Sequence, residues 1–194
     1  MKREESNKSI SQAKTLFRFY WILVLLLFAV PEQLMAQRPT PAFKVKAGFL
    51  YNFTQFVDWP PSAFNSADTP FIIGIMGDED LAAYMEELVR NERIGEHPIQ
   101  VRRVYNRSQA LQSNMLFIDS QAERPEKEIF TEAGKKGILT VGDSENFTRW
   151  GGIIRFYTEN SKIRFEINSA SAQAAKLRIS SKLLSLAKIY RQGE

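Results

Sequence analysis

Three short apolar runs constrain this chain more than any other feature of it. Residues 71–77 read FIIGIMG, 115–119 read MLFID, and 137–143 read GILTVGD. Unbroken runs of β-branched and other apolar residues at these lengths suit strands buried on both faces, as in a parallel sheet covered by helices. Helical patterns lie between them. Residues 78–90 open with acidic side chains, which suit the positive end of a helix dipole, and carry Leu81, Met85, Leu88 and Val89 as an apolar stripe. A short helical turn at 108–112 and a highly charged helix at 124–136 follow, and 99–105 alternates as a further strand. Strands alternating with helices predict an α/β fold: a single three-layer sandwich, mostly parallel, with helices on both faces.

Upstream of the first run, 42–59 has helical spacing. Val45, Phe49, Phe53 and Phe56 form its expected stripe, and Pro60-Pro61 stops it. Its aromatic residues read as core. Downstream, 151–168 holds two strand-like runs around a polar turn at 159–161, a C-terminal antiparallel hairpin. Residues 169–190 are helix-prone, with Ser180 placed to cap a last helix carrying Leu183, Leu186 and Tyr190.

The N-terminus reads as an address. Lys2, Arg3, Lys8, Lys14 and Arg18 precede the run FYWILVLLLFAV at 19–30, and Ala36 offers a small-residue exit. A membrane span needs about 20 apolar residues, so this run is too short for one. The expectation is a signal peptide at 1–36 cleaved between Ala36 and Gln37, a short leader at 37–41, and one domain at 42–191. Residues 37–194 carry 21 Lys and Arg against 19 Asp and Glu, so half of the overall net charge of +4 belongs to the signal. A near-neutral chain without a dense basic run is a poor footprint for nucleic acid. No second apolar segment approaches membrane length, so the mature chain is not expected to be embedded in a membrane.

The chain has no cysteine and one histidine, His97. That excludes disulfides, thiolate metal sites, a cysteine nucleophile and multi-histidine metal centres. His97 has no nucleophile or orienting carboxylate placed beside it by the sequence. No Gly-rich phosphate fingerprint is present, so no cofactor is expected. Each apolar strand does end in a carboxylate. Asp78, Asp119 with Ser120, and Asp143 with Ser144 would gather where ligands bind an open parallel sheet, outside the carboxyl ends of its strands. These side chains are candidate ligand-binding residues; the structural alternative is that they cap the elements that follow. Arg102, Arg103, Arg155 and Arg164 are candidates for an anion-binding or partner surface, or else solvated strand faces. No catalytic residue and no metal ligand is assigned.

Seven blocks, in order, resemble the YfiR-like family of bacterial periplasmic proteins: VKAGFLYNFTQFVDWP (45–60), FIIGIMGD (71–78), MLFIDSQ (115–121), ILTVGDSENF (138–147), GGIIRF (151–156), IRFEIN (163–168) and LRISSKLLSLAK (177–188). The resemblance implies a non-enzymatic periplasmic regulator. Its partner would be the periplasmic domain of an inner-membrane signalling protein, a diguanylate cyclase or a sensor kinase. Where the partner is a cyclase, release of the regulator raises cyclic di-GMP. It also implies a homodimer as an expected assembly. One departure stands out. Well-studied members carry cysteines whose oxidation tunes them, and this chain has none. The alternative function is a small-ligand-binding or enzymatic domain using the carboxyl ends of its strands.

Overall fold

A computed structural model describes residues 41–64, 66, 68–122 and 127–191. The expected signal at 1–36, its Ala36–Gln37 junction and residues 37–40 of the leader lie outside the described residues. The elements, in chain order, begin with α1 (Ala42–Phe56), β1 (Val57–Asp58), a 3-10 turn at Pro61–Ala63, β2 (Phe71–Met76) and α2 (Glu79–Leu88). Then come β3 (Arg93–Ile94), β4 (His97–Arg103), α3 (Arg107–Ala110), β5 (Met115–Ile118), α4 (Glu128–Lys135) and β6 (Leu139–Gly142). The last third holds β7 (Ile154–Glu159), β8 (Lys162–Ile167), α5 (Ser169–Ala174), β9 (Arg178–Ile179), α6 (Ser181–Leu186) and β10 (Lys188–Ile189).

Eight strands form one sheet in the order β10-β8-β7-β6-β5-β2-β4-β3. From β4 to β7 the strands run parallel, and β8 folds back antiparallel on β7. The hairpin turns at Asn160 and Ser161, with φ of 49° and 59°. Two successive left-handed residues give the turn whose twist matches the flanking strands. The chain passes from β2 outward to β4, then returns to place β5 on the other side of β2. That reversal puts the topological switch point of the sheet at the carboxyl ends of β2 and β5.

Strand side chains alternate between two apolar clusters. On one face Phe71, Ile73, Ile75, Met115 and Phe117 pack with Leu50 and Phe53 of α1 and Leu81 and Met85 of α2. On the other, Leu116 and Ile118 pack with Ala110 of α3, Ile129, Phe130 and Ala133 of α4, and Phe147. The result is the expected three-layer α/β arrangement. Phe147 fixes the crossing from β6 to β7. Its ring lies so close to Gly142 and Gly152 that a Cβ on either would sit 2.3 or 2.2 Å from it, so both positions require glycine.

Three local expectations are corrected. The first helix ends at Phe56, because Val57–Asp58 pair antiparallel with β9 and Trp59 precedes a proline that disfavours helix. Its buried line is Ala47, Leu50, Phe53 and Thr54, so Phe49 and Phe56 are only half-buried. The last helix, capped by Ser180 as expected (Leu183 N–H to Oγ, 3.2 Å), stops at Leu186. Lys188 and Ile189 then pair parallel with β8, and the Tyr190 N–H donates to the Ile167 carbonyl at 2.9 Å. A ladder on the open edge of β8 satisfies backbone groups that a continued helix would leave unpaired.

Candidate functional site

The strand-end carboxylates are placed by their strands and held by local backbone. Gly77, with φ of 89°, turns the chain out of β2 so that Asp78 caps α2, its Oδ1 accepting from the Leu81 N–H at 2.9 Å. Asp119 folds back on its own turn, Oδ1 accepting from the Gln121 N–H at 2.8 Å. Asp143 crosses to the neighbouring loop, where its Oδ1 accepts from the Ser120 N–H at 2.7 Å. Ser144 accepts from the Phe147 N–H through its carbonyl at 3.0 Å.

A cation from outside the predicted set completes the group. Lys46, on α1, donates through Nζ to Asp143 Oδ2 at 2.5 Å and lies 3.9 Å from Asp119 Oδ2. Its ammonium also sits 5.4 Å from the centre of the Phe117 ring. The side chains of Lys46, Asp119 and Asp143 are only 14%, 10% and 15% exposed. Burial pushes the Asp119 carboxyl above its ordinary range; the Gln121 N–H pulls it back, the Asp143 charge adds to the rise, and the Lys46 charge opposes it. The chain therefore supplies the positive charge at this edge itself, and each carboxylate already accepts a backbone N–H. Sequence reasoning missed Lys46. Its signal was a lone cation one turn before Leu50, on a line that otherwise buries Leu50 and Phe53.

The candidate arginines do not meet. Arg102 and Arg103 stand on β4, whereas Arg155 and Arg164 stand on β7 and β8, with β2, β5 and β6 between. Arg102 is exposed. Arg103 binds Glu79 at 2.7 Å and Glu86. Arg164 faces Glu159 at 3.9 Å, with both side chains more than half exposed. Arg155 is the one built into the structure. Its Nε donates to Glu166 Oε1 at 2.7 Å, and Thr148 Oγ1 donates to the same oxygen at 2.6 Å. Burial raises the Glu166 carboxyl, but the Arg155 and Thr148 hydrogen bonds and the Arg155 and Lys188 charges outweigh it and hold it below the usual range. His97 sits apart, its Nδ1 2.7 Å from the Thr69 carbonyl and its ring stacked on Phe64 at 3.8 Å.

Over β7, β8 and β10, on the sheet face away from α1, a polar cleft of about 340 Å³ opens. Glu145, Arg149, Arg155, Glu166, Lys188 and Arg191 line it. Among the described residues, no helix is long and apolar enough to cross a membrane.

A family model described as YfiR/HmsC-like matches residues 43–188. The chain is also similar to the crystal structure of a conserved domain protein from Vibrio cholerae, at 11% identity and a TM-score of 0.50. That likeness spans 77% of this chain but only 60% of the other, and at this identity it speaks for the fold alone. Among curated proteins, nothing matches.

Proposed function

We propose a regulatory role for this chain, which belongs to the YfiR/HmsC-like family. It is a non-enzymatic periplasmic regulator that binds and restrains an inner-membrane signalling protein, a diguanylate cyclase or a sensor kinase. The observation that carries this reading is the family match, which runs from the first turn of α1 to β10 and so takes in the sheet and the helices on both of its faces. In this reading residues 1–36 are a signal peptide removed after Ala36, 37–41 a leader, and 42–191 the regulatory domain.

Restraint of this kind needs no chemistry. A protein that binds the inactive state of its partner more tightly than the active one shifts the population by that difference in affinity. Moving a partner from almost wholly active to almost wholly inactive takes about 5.5 kcal/mol of such preference. The cysteine-free composition adds that release comes from a ligand, a competing partner or turnover, not from a disulfide.

The carboxyl edge of the sheet supports this reading over a ligand-binding or enzymatic one. A ligand there would have to displace Lys46 from Asp143, and both buried carboxylates are already hydrogen-bonded. The test is gentle crosslinking in living cells with the full chain carrying a C-terminal affinity tag. The expected result is recovery of one inner-membrane signalling protein with a periplasmic sensor domain, altered cyclic di-GMP or kinase output when the gene is deleted, and Gln37 as the first residue of the recovered chain. Recovery of no membrane signalling protein, with unchanged output on deletion, overturns the proposal.

A further inference from the structure

We propose that the cleft over β7, β8 and β10 is where the partner is held, and that it takes an acidic, extended segment of that partner; this rests on the regulatory reading above. The charge is the first ground. Four cationic side chains (Arg149, Arg155, Lys188 and Arg191) line the cleft against two acidic ones, Glu145 and Glu166. Glu166 is buried and paired with Arg155, so those two charges cancel, and Arg191 has an interaction of its own; Arg149 and Lys188 against Glu145 are the charges the cleft offers a partner. Arg149 is exposed on the rim, and no described carboxylate is paired with it. Arginine's planar fork is suited to carboxylates, which it grips through two parallel hydrogen bonds.

The shape is the second ground, and it argues for a polypeptide. Through Thr148, Arg149 and Tyr190 the cleft adjoins a second hollow, which shares Gly151, Ser171 and Ala174 with a third. This elongated run of hollows fits an extended chain better than a compact ligand.

The probe is a short fluorescein-labelled peptide of alternating glutamate and valine, titrated by fluorescence anisotropy against the protein purified as the cell makes it. A lysine–valine peptide and inorganic phosphate serve as comparisons. The acidic peptide is expected to bind, more weakly as salt is added, and the basic one not to bind. Arg149→Glu is expected to weaken binding about tenfold, as two lost or reversed surface charge pairs would. Lys188→Gln is expected to weaken it less. Arg102→Glu, an equal charge change on β4, leaves binding unchanged. Failure of the acidic peptide to bind, equal losses from Arg149→Glu and Arg102→Glu, or phosphate binding as tightly as the peptide overturns the inference. A chain that ignores the peptide yet still captures a membrane signalling protein overturns this inference and leaves the regulatory reading standing. A chain that binds the peptide but captures no such protein overturns the regulatory reading instead.

Discussion

Lys46 and Asp143 are 97 residues apart in the chain and 2.5 Å apart in space. Their contact ties α1 to the turn after β6, across the carboxyl edge of the sheet. With Asp119 alongside, one ammonium is shared by two largely buried carboxylates. Lys46→Met keeps the bulk of the side chain and removes its charge. It leaves two carboxylates facing each other without a counterion, and is expected to lower stability by about 2 to 4 kcal/mol. Urea denaturation at neutral pH measures it. Adding Asp119→Asn to this variant is expected to restore part of the loss, because one of the uncompensated charges is then gone.

Asp119→Asn alone is expected to behave in the opposite way. Burial raises the Asp119 carboxyl in the folded chain, so the folded state binds that proton more tightly than the unfolded one. At neutral pH folding therefore carries a cost from this ionised group, relieved as pH falls through its raised range. The amide oxygen of asparagine still accepts from Gln121. The variant is expected to match the parent or exceed it by about 1 kcal/mol at neutral pH, with the gap closing in acid. Thermal melts across pH check this. A large loss at neutral pH contradicts it.

Glu166 has the other sign. Its carboxyl is held below the ordinary range, so the ionised form stabilises the fold above that range, and the contribution is lost as pH falls through the folded value. Glu166→Gln breaks the pair with the partly buried Arg155 and is expected to cost about 3 kcal/mol at neutral pH. The difference from the parent is expected to shrink as pH falls through the lowered folded value, where the parent too becomes protonated. Melting temperatures of both proteins across that interval test the sign as well as the size.

The contact of Phe147 with two glycines makes a packing prediction. Gly142→Ala places a methyl carbon 2.3 Å from a fully buried ring that Gly152 confines on its other side. Overpacking of this kind is expected to cost about 3 kcal/mol, read from the urea midpoint. Phe147→Leu in the same chain removes ring atoms from the clash and is expected to recover part of it. If Gly142→Ala is harmless, the ring is not confined.

The three apolar runs became β2, β5 and β6, and the hairpin and the caps at Asp78 and Ser180 formed where local chemistry required them. These features were legible because each depends on a few neighbouring residues. β9 and β10 were not, since two-residue strands carry almost no pattern of their own. They exist because β1 and β8 offer edges to pair with. The candidate site was half legible. The strand ends predicted Asp78, Asp119 and Asp143 at one edge, but which of them would meet depended on a helix far upstream. Lys46 was hidden because a helix rotated by part of a turn sends the same lysine to water, and only packing against the sheet sets that rotation.

The Lys46–Asp143 contact also bears on the order in which the molecule can be completed. A chain made, or threaded through a translocation pore, from its N-terminus presents Lys46 long before β6 exists. Until Asp143 follows, Lys46 has only the more distant carboxylate of Asp119 to close on, and the apolar line of α1 has only part of its sheet. The latch thus closes late by construction. A chain interrupted before residue 143 carries the sequence of its first helix but not the closer partner that fastens it, and such a truncated product should stand out to proteases at its N-terminal end.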